Sequence, residues 1–377
     1  MSFITTSTSS SAILSPLKLG TSHLQHRIVH APTSRRRAEE DATPSTLMKE
    51  YYSQRATEGG LLITEATFID ATAGSYKKSP GIYTKKQIAA WREITDQVHK
   101  KGGVIYVQLW HVGRASISKE NKGLQPVSAS PIPITSDLHA SGDAYDTPRE
   151  LSIPEIKEIT DKFKQAAINA IELAGFDGVE IHAANGYLLD QFINTSSNKR
   201  SDIYGGSIEN RARFTLEVVN AVSNAITPQR TGVRFSPWSD IQDMEDDTPY
   251  ETWGYITNRI QEKYPDLAYL HFVEARHQLS EDIAFSDVIN NSDKTLDPFR
   301  RAWKGNFISA SGYTYDPKLA IDVAERTGNL IAFGRHFIAN PDLVQRIRND
   351  WPFNKYDRST FYTPGAKGYT DYPFYKE

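Results

Sequence analysis

Eight short apolar runs recur along this chain, set apart by amphipathic or turn-rich stretches, and that alternation limits the folds open to it. The runs are "RIVHAP" (27–32), "GLLITEA" (60–66), "GVIYVQLW" (103–110), "DGVEIHA" (177–183), "TGVRFSP" (231–237), "LAYLHFVE" (267–274), "GNFISAS" (305–311) and "NLIAFGR" (329–335). Most are apolar at successive positions, as in strands of a parallel sheet buried on both faces. Between them, 84–101, 153–174, 207–226 and 316–327 carry helical spacing, and "SIEN" from Ser207 predicts a helix start. Strands alternating with helices in this way predict an α/β fold, a (β/α)8 TIM barrel. A doubly wound sheet is the competitor, but it would place a glycine-rich phosphate loop after the first strand, where this chain has "PTSRRR". "LKLGTSHLQHR" (17–27) reads as an N-terminal hairpin closing the barrel's bottom. The Ser-, Pro-, Gly- and Asp-rich stretch 111–152 reads as a long excursion after strand 3, lying over the catalytic face. The Ser/Thr-biased start predicts a mobile tail over 1–14, with 15–377 forming a single domain.

Composition narrows the function. A formal net charge of −3 with dispersed basic residues gives no sign of a nucleic-acid partner. "SRRRAEE" (34–40) balances its own charge and reads as a solvated loop, with Arg35 and Arg37 near a pocket mouth as the alternative. The absence of cysteine excludes disulfides, thiolate zinc sites and cysteine nucleophiles. No apolar run approaches the ~20 residues that cross a bilayer, and the start does not read as a signal peptide. A cytoplasmic enzyme with no membrane partner is expected, as monomer or homodimer.

In such barrels the chemistry sits where the strands end. Those ends supply Pro32 and Thr33, Ala66, Gln108 with Trp110, His182 with Asn185 and Tyr187, Arg234, Ser311 and Gly312, and Gly334 with Arg335. Glu65, Glu180 and Glu274 lie nearby, but no pair suits the acid and base of a glycosidase. No HxH or HExxH cluster appears, so no metal is expected, and no GxSxG elbow is present. What remains is a set of mostly neutral donors, suited to an uncharged planar ligand with ring heteroatoms. "SASGYT" and "FGRHFIANPDL" follow the last two strands, where barrels often bind phosphate. A flavin mononucleotide (FMN) fits both. Taken singly, His182 would be a structural histidine, Asn185-Gly186 a turn, Tyr187 and Trp110 packing, and Arg234 half of an ion pair; "GGSIENRARF" would be a turn, a cap and a solvated helix. Their joint order along the barrel favours the flavin site.

The chain resembles the old yellow enzyme family of flavin-dependent ene-reductases, particularly its fungal members, with ergot-alkaloid-type oxidoreductases among them. The resemblance runs nearly the whole length and is carried by "LQHRIVHAPTSR", "VQLWHVGRAS", the block "DGVEIHAANGYLLDQFINTSSNKRSDIYGGSIENRARF", "RFSPW", "FISASGYT" and "AFGRHFIANPDL". It implies tightly bound FMN reduced by NADPH or NADH, with a small activated alkene as substrate. By resemblance, Thr33 faces flavin O4, Gln108 the pyrimidine edge and Arg234 the N1–O2 side, with Pro32 and Ala66 against the ring. Ser311, Gly312, Gly334 and Arg335 would hold the phosphate. His182 and Asn185 look like the pair that grips a substrate carbonyl or nitro oxygen, and Tyr187 like the proton donor. Trp110, Tyr83 and Tyr362 would shape the pocket. With no GxGxxG loop, the nicotinamide must use the same pocket as the alkene, which implies a ping-pong cycle. The alternatives are a flavin-dependent isomerase or dehydrogenase of secondary metabolism, and a flavin-binding protein without turnover.

Overall fold

The computed structural model describes residues 11–275 and 294–376. All eight runs contain strands: β1 (Ile28–His30), β2 (Leu61–Phe68), β3 (Val104–Trp110), β4 (Gly178–His182), β5 (Thr231–Phe235), β6 (Tyr269–Val273), β7 (Phe307–Ala310) and β8 (Leu330–Phe333). Each pairs in parallel with the next, and β8 closes on β1 through Ile331↔Ile28, Ala332↔Val29 and Phe333↔His30, so the sheet is a closed barrel. Successive strand residues point to opposite faces, which explains the unbroken apolar runs. Leu61, Ile63, Val104, Tyr106, Tyr269 and Ile308 pack in one cluster, whereas Leu62, Ile105, Val107 and Leu109 belong to the cluster containing the helix residues Trp91, Phe163 and Phe214.

The hairpin pairs Leu17–Leu19 with Ser22–Leu24 and adds Leu19 and Leu24 to the cluster of Leu61 and Ile63, as a plug at the bottom should. Its turn needs Gly20: φ is +54°, and a Cβ there would lie 1.8 Å from the Gln229 carbonyl oxygen. The four expected helices are present as Lys85–His99, Ile153–Ile168, Ile208–Ile226 and Pro317–Thr327. Ser207 Oγ accepts from the Asn210 N–H, as the start signal implied, and Thr84 with Gln87 forms a full capping box. Among the described residues, no helix is long and apolar enough to cross a membrane.

Three expectations need correction. The tail expected over 1–14 is already folded from Ser11: Ile13 is buried and the Ala12 N–H donates to Glu325. Residues 1–10 lie outside the described part. "SRRRAEE" is not a solvated loop, because Arg35 and Arg37 are buried and donate to the carbonyls of Phe361, Gly368 and Thr360, clamping the C-terminal segment. A guanidinium has several donors, and chain carbonyls take most of them here, with Arg35 Nη1 left without a partner among the described residues. Arg211, expected on a solvated helix with loop-fixing as the alternative, takes the alternative: it is buried, bound to the Ile193 carbonyl and Asp246, and ties the segment after β4 to the one after β5.

Candidate active site

The strand ends open on two clefts with adjoining walls. The first, of about 220 Å³, is lined by Pro32, Thr33, Asn185, Arg234, Ser311, Gly312, Gly334 and Arg335 among others. Residues from β1, β4, β5, β7 and β8 thus meet there, as the sequence predicted. Ser311 and Gly312 both have positive φ, +86° and +85°. A serine in that region is uncommon and strained, so the tight turn after β7 is held against a local cost. Gly334 stands where a Cβ would come 3.2 Å from Thr33 Cγ2. Arg335 crosses the rim and donates to Tyr315 and Tyr356.

Deeper in, Ala66 and Gln108 are paired in register beside a bulge that shifts β2 between Ile63 and Ala66. Such a bulge re-aims the residues beyond it. Gln108 Nε2 donates to Glu180 Oε1 at 2.7 Å, and Glu180 Oε2 accepts from His271 Nδ1 at 2.8 Å. Thr33 Oγ1, Arg234 Nε and His182 Nδ1 are buried without a partner among the described residues. A buried polar atom left unpaired costs about 1–3 kcal/mol, so this group of atoms calls for a ligand. A heteroaromatic ring edged with carbonyls and ring nitrogens fits them.

The second cleft, of about 350 Å³, is lined by Trp110, Tyr187, Tyr76, Tyr145, Gln242 and Tyr362 among others. Trp110 is fixed by stacking on Phe68 at 5.0 Å and meets the Tyr187 ring edge-on at 4.9 Å. His182 ends β4, and Asn185 follows with φ +57°, its N–H held by Ser236 Oγ at 2.7 Å. The turn is further pinned by Asp190, which accepts from the Gly186 N–H. Burial, with Arg234 and His271 nearby, drives the His182 imidazole far below its ordinary range, so it is neutral. Burial pushes the Tyr187 phenol up, so it keeps its proton.

Tyr83, expected in the pocket, lines neither cleft. It lies just before the Lys85–His99 helix, with its N–H bound to Gln87 Oε1, and the capping box holds it there. Tyr76 stands on the wall instead.

A family model described as NADH:flavin oxidoreductase / NADH oxidase family matches residues 12–354. The chain belongs to this family. Its relatives include "12-oxophytodienoate reductase 1" of Oryza sativa subsp. japonica, 46% identical over 97% of this chain and 93% of the relative. "Flavin oxidoreductase hxnT" of Emericella nidulans is 43% identical over 96% of this chain and 97% of its own. Among solved structures, morphinone reductase superposes with a TM-score of 0.87 at 40% identity, covering 98% of both chains. An old yellow enzyme homologue from Zymomonas mobilis gives 0.86 at 37%, covering 96% of this chain and 99% of the other.

As a member of the old yellow enzyme family the protein is an oxidoreductase with FMN as cofactor and a nicotinamide dinucleotide as reductant. Morphinone reductase has been crystallised with tetrahydroNAD. Sequence reading missed Tyr76, Tyr145 and Gln242, which sit on irregular segments and carry no periodic signal. Glu180 and His271 were readable as polar interruptions of apolar strands, but their pairing across the barrel was not.

Proposed function

We propose that this protein is an ene-reductase that reduces the C=C bond of α,β-unsaturated carbonyl or nitro compounds with NAD(P)H, in a ping-pong cycle. The observation that carries the reading is the trio at the end of β4: a carboxamide at Asn185 on the first cleft, a protonated phenol at Tyr187 on the second, and a neutral imidazole at His182 against the Tyr187 ring. FMN, when bound, supplies the hydride. Thr33, Gln108 and Arg234 would hold its ring edge, and Ser311, Gly312, Gly334 and Arg335 its phosphate.

His182 and Asn185 would donate to the substrate oxygen and stabilise the negative charge that grows there as the double bond accepts hydride. A neutral imidazole suits this work, since it donates without giving up its proton to solvent. Tyr187 would deliver the proton to the α-carbon, and its phenol also favours net reduction over isomerisation, which needs no external proton. Trp110 holds Tyr187 from one side, with Tyr76 and Gln242 lining the same cleft. Nicotinamide and alkene would occupy the site in turn.

The test mixes the yellow holoprotein with NADPH without oxygen and follows the flavin absorption. Bleaching, then recovery on adding cyclohexenone, is expected, with parallel lines in two-substrate initial-rate plots. Bleaching without recovery across a panel of enals, enones and nitroalkenes would overturn the substrate class, and intersecting lines the ping-pong order.

A further inference from the structure

Beneath the first cleft, Glu180 is fully buried and joins three strands. Gln108 and Glu180 are register partners on β3 and β4, and Arg234 on β5 is the register partner of both His182 and His271. The Glu180 carboxylate accepts from Gln108 Nε2 and from His271 Nδ1. Burial pushes the pKa of its carboxyl up, but His271, Arg234 and the Gln108 donor outweigh that and hold it below the ordinary carboxylate value, so it stays ionised. Burial keeps His271 neutral despite Glu180.

An ionised carboxylate only accepts hydrogen bonds. The Gln108 amide must therefore turn its NH2 group to Glu180, which leaves Gln108 Oε1 as the acceptor for a ligand, with no hydrogen bond to it among the described residues. We propose that Glu180 is a positioning residue for the cofactor: it sets the orientation of the Gln108 carboxamide so that its oxygen meets the flavin N3–H, and its charge, beside Arg234, weakens the site's hold on the reduced cofactor. The proposal rests on the cofactor reading of the first cleft. Reduced flavin is anionic on the N1–O2 side, so a fixed negative charge near Arg234 opposes reduction and its removal assists it.

The experiment is an anaerobic redox titration of the holoprotein and of Glu180→Gln, alongside FMN content. The variant is expected to remain yellow and, at a given potential, to hold a reduced-to-oxidised ratio about tenfold higher, about 30 mV for a two-electron couple. A yellow variant with an unchanged or lowered ratio overturns the proposal and leaves the cofactor reading intact. A wild-type protein that neither carries nor takes up FMN overturns the cofactor reading itself. Should Glu180→Gln fail to fold, wild-type apoprotein decides with 3-methyl-FMN, which lacks the N3–H. Binding at least tenfold weaker than FMN supports the orientation, and equal binding overturns it.

Discussion

His182 and Tyr187 meet edge to face, with ring centroids 5.0 Å apart and planes at 78°. Burial acts on both in opposite chemical senses, taking the charge from the imidazole and keeping the proton on the phenol. A hydrogen-bond donor and an acid therefore share one wall at neutral pH, and each can be removed separately.

Removing the phenolic hydroxyl should separate the two half-reactions. In Tyr187→Phe, flavin reduction by NADPH is expected to keep its rate within about twofold, while reoxidation by poorly activated enones slows by about 10²–10⁴, the usual worth of a placed acid. Stopped-flow measurement of each half-reaction checks this, and unimpaired reoxidation across such enones would remove Tyr187 from the proton role.

Loss of the oxygen-gripping pair should show without turnover. A phenolate stacked on the flavin is expected to give a red-shifted charge-transfer band, and the His182→Ala, Asn185→Ala double variant should lose it. Each single change should slow alkene reduction by about 10²–10³, as for one oxyanion donor. A band of normal strength in the double variant would mean that these two side chains do not hold the oxygen.

Acid should destabilise the fold. Burial depresses His26 and His336 to about 4, and His30 and His111 to about 3. Their folded values lie below the unfolded value of 6.5, so the unfolded chain binds more protons and stability is lost as pH falls through that range. Burial raises Glu65 and Asp190 to about 7, which acts the other way between roughly 4.5 and 7, where the folded state holds the extra proton. With His182 and His271 also held neutral, the buried histidines outnumber the two raised carboxyls, so stability falls as pH falls between about 6.5 and 4.5. Urea unfolding of the holoprotein at pH 7, 6 and 5 measures it; a flat profile would contradict the neutral burial of these imidazoles.

Gly178 and Gly232 make room in the barrel for large rings. A Cβ on Gly178 would lie 2.2 Å from Tyr106 Cε2, and one on Gly232 2.4 Å from Tyr269 Cζ. Gly178→Ala should therefore cost about 1–3 kcal/mol by overpacking, read as a lowered midpoint in thermal unfolding. Reshaping the neighbour with Tyr106→Phe should not rescue it, since the clash is with ring carbon.

The fold was legible because each strand is buried on both faces, and "VIYVQLW" can be little else in a chain of alternating elements. The helix start at Ser207 was legible for a local reason, a side chain capping its own backbone, whereas the Thr84 cap was not read from the sequence. "SRRRAEE" misled because its charges balance in sequence, whereas Arg35 and Arg37 find their partners more than 300 residues away. Tyr83, carried over by resemblance, misled because it sits just before the Lys85–His99 helix, and its sequence gives no sign of which way that segment turns. Tyr76 and Tyr145, 69 residues apart, approach only when two loops fold over the same face.

The residues alone determined where strands would lie, which side chains would end them and that those side chains are mostly neutral donors, because these properties depend on period and composition within a few positions. Tertiary structure decided what the donors face and what charge they carry. Closing the barrel buried Glu180 against His271 and Gln108, took the charge from the His182 imidazole and left Thr33 and Arg234 with unmet polar atoms. Desolvation and partner geometry depend on neighbours distant in the chain, and those neighbours exist only once it has folded.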